Sequence, residues 1–346
     1  MQELALPNLT PDDAESLAAL QLPVLSKLEL SRVRHARYYK DSVLRLLVSA
    51  PWLKRLHSLA ITGCVLLPDG LAPLAAVGLP LLEELVVKDS ANGNKGSLFD
   101  TGGNDGAAAA PAAALAAAPA PALAPALPSA AGPAPLHLPL LRRLVLIENR
   151  CVSGADVLRL LSAQLAPTTE EGEGSGNGPD AVADCDASPL EELVLMNNKR
   201  GGTDMPQAEV LALMRAMAAA PLRKLRGLSI SGGVGDRVIG ELASAPWAGG
   251  LERLALAWND ELGASGDLMP WAALTGAPLR ALRALDLSYS SGMSAGAGAL
   301  LGTAEWLGRL ESLNLKGTAP KALAALQAEH EFDALKSGGA CEILTG

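Results

Sequence analysis

The chain has 346 residues and a formal net charge of −9. This acidic balance argues against a nucleic-acid partner, because a protein that holds phosphates needs a basic surface. The sequence has no apolar run of the roughly 18 residues that a bilayer requires, and residues 1–25 lack the pattern of a secretory signal, so we expect no membrane partner.

The first 24 residues contain Leu4-x-Leu6, which looks like half of a pattern that recurs later. We expect residues 1–24 to be a partial repeat or an N-terminal capping segment, in which residues 11–20 could form a helix. The remaining chain, residues 25–346, is predicted to be one repeat domain.

The phrase Leu-x-x-Leu-x-Leu dominates that domain, with mostly 26–31 residues between successive copies. Its alternation predicts short strands whose leucines face a core. Stretches with helical spacing lie between the strands, at 153–165, 206–219, 297–307 and 321–336. Residues 341–344 resemble a closing strand. The nine copies begin at Leu25, Leu56, Leu82, Leu141, Leu190, Leu225, Leu251, Leu282 and Leu310.

A small or polar residue follows the last apolar slot of most copies by three positions, where a turn is expected. Three tryptophans (Trp52, Trp247 and Trp306) each precede a copy by four residues, and we expect them to be packed rather than to bind a ligand. The turn residues are Cys64, Ser90, Asn149, Asn198, Gly233, Asn259, Ser290 and Thr318.

Two long intervals between copies contain insertions of a different composition. Residues 91–137 are rich in Ala, Pro and Gly, and residues 167–187 are acidic and rich in Gly. Neither has enough apolar surface to fold by itself, so both are predicted to be disordered loops.

Four cysteines, at positions 64, 151, 185 and 341, are scattered without a C-x-x-C spacing. In a chain without a secretory signal this favours free thiols over disulfides. We therefore expect no metal or other cofactor, and a cytoplasmic location with the nucleus as the alternative.

The repeated phrase and its turn position resemble the leucine-rich repeat superfamily over roughly residues 3–346, interrupted by the two insertions. Repeats of this length are most similar to the ribonuclease-inhibitor-like and cysteine-containing classes, and the latter is typical of F-box substrate receptors. The resemblance implies an α/β fold: a right-handed horseshoe solenoid with parallel strands on its concave face and helices on its convex face. It also implies recognition of a protein partner on the concave face.

The resemblance leaves several functions open. One is a substrate-recognition module of a ubiquitin ligase whose F-box is absent from this chain, because residues 1–24 are too short to contain one. The others are a GTPase-activating protein similar to the Ran activators, and a structural subunit of a large assembly. We expect a monomer.

Strand alternation predicts which side chains form the concave face. Val86, Val145 and Val194 should form a row, since parallel strands lie about 4.8 Å apart. Ile147 and Met196 would extend the row sideways. An exposed apolar patch with a charged border is typical of a protein interface, so Val145→Glu should weaken binding and leave the fold intact. The alternative is that valine simply favours strands.

Two further groups complete the predicted binding surface. Glu84, Arg143 and Glu192 alternate in sign beside the valines and could pair with one another. Trp258 and Tyr289 occupy equivalent positions one residue past neighbouring strands, where they could anchor a partner. The alternative is that these two rings pack over the strand ends.

Nothing in the sequence indicates catalysis. None of the four histidines has a metal-type partner, and the Gly-rich pieces lack the Lys-Ser/Thr of a phosphate-binding loop. Carboxylate pairs such as Glu83-Glu84 lie next to each other in a strand, so their side chains face opposite ways and cannot act as a dyad. We expect no enzyme.

Overall fold

A computed structural model describes residues 2–31, 43–63, 65–66, 71–89, 91–92, 138–149, 152–165, 188–200, 203–329 and 342–344. Within them, eleven strands form a single parallel sheet in which neighbours follow chain order. The strands are β1 Gln2–Pro7, β2 Leu25–Ser31, β3 Ser58–Thr62, β4 Glu84–Lys88, β5 Arg143–Ile147, β6 Glu192–Met196, β7 Gly227–Ile230, β8 Arg253–Ala255, β9 Ala284–Asp286, β10 Ser312–Asn314 and β11 Glu342–Leu344.

Helices connect the successive strands from β1 to β4 and from β5 to β11, as is usual between parallel strands. The helices of the described residues are α1 Pro11–Ala19, α2 Val43–Leu47, α3 Ala72–Val77, α4 Gly154–Leu160, α5 Ser162–Leu165, α6 Gln207–Ala218, α7 Asp236–Ser244, α8 Met269–Gly276, α9 Ala295–Gly302 and α10 Pro320–Glu329. None of these helices combines the length and apolarity that crossing a membrane would demand.

The register of the sheet aligns the apolar slots of the repeats. The second leucine of each copy pairs with the second leucine of the next, for example Leu85 with Leu144 and Leu144 with Leu193. These leucines are fully buried and belong to one core that runs along the solenoid. The predicted fold is confirmed: the chain is an α/β leucine-rich-repeat solenoid with its strands on the concave face and its helices on the convex face.

Both ends of the described chain continue the repeat. β1 pairs with β2, with Leu4 opposite Leu28, and α1 begins with a capping box between Thr10 and Asp13. At the other end Ile343 lies opposite Leu313, as the expected closing strand requires. Residues 1–24 therefore contain both the strand and the helix of a repeat.

The three tryptophans that precede the strands are packed, as predicted. Trp52, Trp247 and Trp306 are 2–4% exposed, and each indole N–H donates to a carbonyl of the preceding repeat. Each ring thereby joins two repeats through both packing and a hydrogen bond. The acceptors are the carbonyls of Leu17 at 3.4 Å, Met217 at 2.7 Å and Leu274 at 3.3 Å.

Buried polar side chains occupy the turn position after the strands. Asn149, Asn198 and Asn259 are at most 2% exposed, and each side-chain amide donates to a carbonyl of the preceding repeat. This satisfies backbone groups that would otherwise be buried without a partner. The carbonyls belong to Val87 at 2.9 Å, Leu146 at 2.7 Å and Ile230 at 3.1 Å.

Several element bounds differ from the predicted ones. Ser153 is the N-cap of α4, but the expected single helix is divided at Leu161 into α4 and α5. α6 begins at Gln207, after its N-cap Pro206, and ends at Ala218. α9 ends at Gly302, because the chain then turns into a 3₁₀ segment, Leu307–Arg309, that leads into the next strand.

The predicted insertions fall mainly outside the described residues, as do the four cysteines. Ala91–Asn92 is an exception, because it pairs in parallel with Val65–Leu66. Regular structure therefore extends two residues into the range expected to be a loop. Disorder of the insertions and the state of the thiols stay predictions.

Candidate protein-interaction surface

The three valines predicted to form a row do so. Val86 is registered opposite Val145, and Val145 opposite Val194, on the central strands β4, β5 and β6. They form an apolar cluster separate from the leucine core, and Ile147 and Met196 pack against it. We call Val86, Val145 and Val194 the valine row. Strand alternation produces this separation, because Leu144 faces the core and Val145 faces the opposite side.

The expectation that the valine row is exposed was wrong. Val86 and Val194 are 9% exposed and Val145 only 2%. Neighbouring strands bring the valines close enough to shield one another, and the residues packed beside them cover more of their surface. Val145→Glu would bury a charge, so we expect this change to destabilise the fold.

The acidic and basic residues beside the valine row pair as predicted. Arg143 lies between two carboxylates, with its Nη1 2.6 Å from Glu84 and its Nε 2.6 Å from Glu192. The series continues on both sides, since Ser58 donates to Glu84 at 2.7 Å and Arg253 lies 3.3 Å from Glu192. We call these five residues the charge ladder. It crosses the concave face from β3 to β8.

The charge ladder shifts the pKa values of Glu84 and Arg143. Burial by itself would raise the pKa of Glu84, but hydrogen bonds from Ser58 and Arg143, together with the charge of Arg143, lower it overall. Burial would likewise lower the pKa of Arg143, yet its hydrogen bonds to Glu84 and Glu192 raise it. Both shifts stabilise the ionised forms of Glu84 and Arg143.

A second series of ion pairs, which sequence reasoning missed, occupies the position just before the first residue of the strands β4 to β10. Arg142 lies 2.8 Å from Glu191 and 3.9 Å from Glu83. Arg226 lies 3.6 Å from Glu252, and Arg283 lies 3.8 Å from Glu311. The available signal was a strict alternation of sign down this position. The order is Glu83, Arg142, Glu191, Arg226, Glu252, Arg283 and Glu311.

One residue of each repeat, two positions after the last apolar slot, has a left-handed backbone conformation. This holds in all nine repeats in which the structure describes that residue. Their φ values lie between 51° and 77°. Because the backbone geometry repeats, these residues line one edge of the sheet, and we call them the left-handed column. They are Asn8, Gly63, Asp89, Glu148, Asn197, Gly232, Trp258, Tyr289 and Gly317.

Trp258 and Tyr289 are neighbours in this column and stack on each other. Their ring centroids are 4.0 Å apart and the ring planes differ by 16°. Tyr289 is half-buried and also packs against Gly317, where a Cβ would come within 2.7 Å of its ring. Trp258 remains 52% exposed. Tyr289 therefore packs over the strand ends, whereas the indole of Trp258 stays accessible.

The predicted site residues thus form two separate groups. The valine row, the charge ladder, Ile147 and Met196 lie together on the central concave face. The aromatic pair lies at the sheet edge beyond β8 and β9. Among the described residues no three His, Cys, Asp or Glu side chains come together in a way that could hold a metal ion.

No family model matches the sequence, and no curated protein matches it either. Among solved structures, the chain is similar to one in the complex of Rad7 and Elc1 in yeast, with 15% identity and a TM-score of 0.55. That likeness covers 93% of this chain and 65% of the other, so this chain spans less than two thirds of its length. An internalin, inlF, from Listeria monocytogenes shares 15% identity over 91% of this chain and 80% of its own, with a TM-score of 0.31. The likeness to the yeast chain concerns the fold alone.

Proposed function

We propose that this chain is a non-catalytic scaffold that binds a protein partner on the concave face of its solenoid. One observation carries the proposal: an apolar cluster in the middle of the concave face is bordered by the charge ladder. An apolar centre with a polar rim is the usual anatomy of a protein interface.

Burial of the valine row changes which side chains would make the contact. Ile147 and Met196 are half-buried, and they are registered opposite each other on β5 and β6. The valines support these two residues from the side. We therefore assign the apolar contact to Ile147 and Met196, with Arg143 and Glu192 at its border. A stable contact would cover about 800 Å² of this face.

A narrower form of the proposal is an adaptor that presents substrates to a ubiquitin ligase, with the F-box supplied by sequence outside this chain. The fold is compatible with that role and does not select it. Recovery of ligase subunits with the full-length protein would favour the adaptor over a stable subunit of a large assembly.

The test is an affinity pull-down from native extract with mass spectrometry, using wild type, Met196→Glu and Met269→Glu. Met269 is a matched control because it is 75% exposed at the start of α8, on the helical side. Met196→Glu should weaken a partner contact by about 2 kcal/mol or more, the loss typical of a hot spot. Met269→Glu should leave it unchanged.

Equal thermal midpoints of the two variants would exclude unfolding as the cause. If both variants retain every partner of the wild type, the concave face is not the binding surface. If only Met269→Glu loses a partner, the interface lies on the helical side, and the proposal fails.

A further inference from the structure

The left-handed column contains two exposed carboxylates and an exposed indole, none of which takes part in the proposed central contact. Asp89 and Glu148 are neighbours in the column, directly after β4 and β5, and both are exposed. Trp258 lies three strands beyond Glu148. Between them are Asn197 and Gly232, so no bulky side chain separates the carboxylates from the indole.

The backbone at the aromatic pair is strained, and its surroundings hold it. A left-handed conformation is uncommon for residues other than glycine and unfavourable for bulky ones. The Trp258 N–H donates to the Ser288 carbonyl at 2.8 Å, and the Tyr289 N–H donates to the Lys316 carbonyl at 2.7 Å. The repeat imposes this conformation throughout the column, so the surrounding structure holds both aromatic residues in fixed positions.

The accessible indole suits a planar cation. Tyr289 stacks against Trp258 on one side, and on the other side the next residue of the column is Gly232, which has no side chain. Guanidinium groups stack on aromatic faces, and tryptophan is the most favourable ring for a cation. Exposed carboxylates at Asp260 and Glu261 follow the indole closely in the chain and add negative charge nearby.

The other end of the pattern also favours a positive group. The hydrogen bond and charge of Asp89 raise the pKa of Glu148, while a hydrogen bond from Asn197 acts in the opposite direction. Two adjacent carboxylates repel each other, and a cation placed between them would relieve this repulsion. The net charge of −9 has the same sign as this local excess.

We propose that the left-handed column binds an extended, arginine-containing segment of a protein partner. One guanidinium stacks on Trp258, and a second basic group lies between Asp89 and Glu148. Parallel strands are about 4.8 Å apart, so the two subsites are separated by about 14–17 Å. An extended chain advances about 3.3 Å per residue, so the two basic residues stand about five positions apart. The inference depends on the proposed function only in taking the partner to be a protein.

The test uses fluorotryptophan-labelled protein and ¹⁹F NMR. The chain has five tryptophans, and the four besides Trp258 are at most 4% exposed, so Trp258 is the one that a ligand can reach. Its resonance is assigned by its loss in Trp258→Phe. The probes are acetyl-Arg-Gly-Gly-Gly-Gly-Arg-amide, the same peptide with citrulline for both arginines, and acetyl-Arg-Gly-Arg-amide.

The long arginine peptide should shift the Trp258 resonance in a saturable manner. The citrulline peptide, which has nearly the same shape without the charge, should bind about tenfold more weakly. The short arginine peptide cannot reach both subsites and should also be weaker. Asp89→Asn combined with Glu148→Gln should weaken the long peptide about fivefold, since one of its two charges loses its partners. Glu305→Gln, an exposed control for net charge, should have no effect.

Equal affinity of the arginine and citrulline peptides would overturn the proposal, as would the absence of any shift with the long peptide. Unchanged binding in the Asp89/Glu148 variant would show that these two carboxylates do not form the second subsite. The pull-down with Met196→Glu reports on the central face and not on this edge. Failure of the proposed function would leave the peptide shift intact, and failure of the arginine subsites would leave the pull-down result intact.

Discussion

Leu144 and Val145 show how much a single step along a strand matters. Leu144 is 0% exposed and belongs to the leucine core that runs through the repeats. Val145 is 2% exposed but lies on the other side of the sheet, in the small valine cluster. Two residues with nearly equal burial therefore have different surroundings, one enclosed by the solenoid and one shielded only by neighbours on its face.

We predict different losses of stability for the two residues. Leu144→Ala should lower the free energy of unfolding by about 2–5 kcal/mol, because it leaves a cavity that the surrounding core fills only in part. Val145→Ala removes about two methylene equivalents and should lower it by about 1–2 kcal/mol. Urea unfolding measures both. An equal or larger loss for Val145→Ala would show that the valine row is enclosed as completely as the main core.

At the scale of elements, the connection between neighbouring repeats depends on the turn that follows each strand. Asn259 makes three hydrogen bonds there: its amide donates to the carbonyls of Ile230 and Ala257, and its Oδ1 accepts from the Val234 N–H at 3.0 Å. Ser290, at the same position of the next repeat, makes one side-chain hydrogen bond, at 3.3 Å. The asparagine therefore joins two repeats more firmly than the serine does.

Replacement of these two residues provides a matched comparison. Asn259→Ala leaves several buried backbone groups without partners and should cost about 2–4 kcal/mol of stability. Ser290→Ala loses one long hydrogen bond and should cost about 1 kcal/mol or less. Hydrogen exchange should show faster opening of the turn after β7 in Asn259→Ala. Equal losses for the two variants would contradict the assigned role of the asparagine.

At the scale of the whole molecule, charges repeat along the solenoid with alternating signs. The charge ladder and the second series of ion pairs run across successive strands at adjacent positions. Like charges on neighbouring strands would repel, since equivalent residues of adjacent strands lie about 5 Å apart. In both series this repulsion is avoided, because the signs alternate or a neutral residue intervenes.

The charge ladder should make stability depend on pH. The pKa of Glu84 is lowered in the folded protein below its ordinary value of 4.5, so its contribution is present above that value and is lost as the pH falls through the lower, folded pKa. Arg143→Met should reduce this loss on acidification, because Glu84 no longer has its main positive partner. Urea midpoints measured from roughly pH 6 to pH 3 test this. Arg226→Met, which removes a looser pair at 3.6 Å, serves as the control and should keep the wild-type slope.

The sequence by itself determined the repeat, the register of the strands and the face of the sheet on which each strand side chain lies. The spacing of the leucines placed Leu144 opposite Leu85 and Leu193, and the alternation within each strand placed Val86, Val145 and Val194 on one face. These properties follow from local periodicity, because a strand repeats every two residues and a solenoid repeats every turn. The same reasoning correctly paired Arg143 with Glu84 and Glu192.

Only the tertiary structure decided how accessible these residues are and how the edge residues are arranged. The exposure of the valine row depends on how closely three neighbouring strands bring the valines together, and no single strand specifies this. The valine row was therefore predicted on the correct face but with the wrong exposure. The left-handed conformation of Trp258 and Tyr289 likewise arises where consecutive repeats impose the same turn on whichever residue occupies it. The sequence thus fixes which side chains share a face through local periodicity, whereas packing between repeats determines which of them a partner can reach.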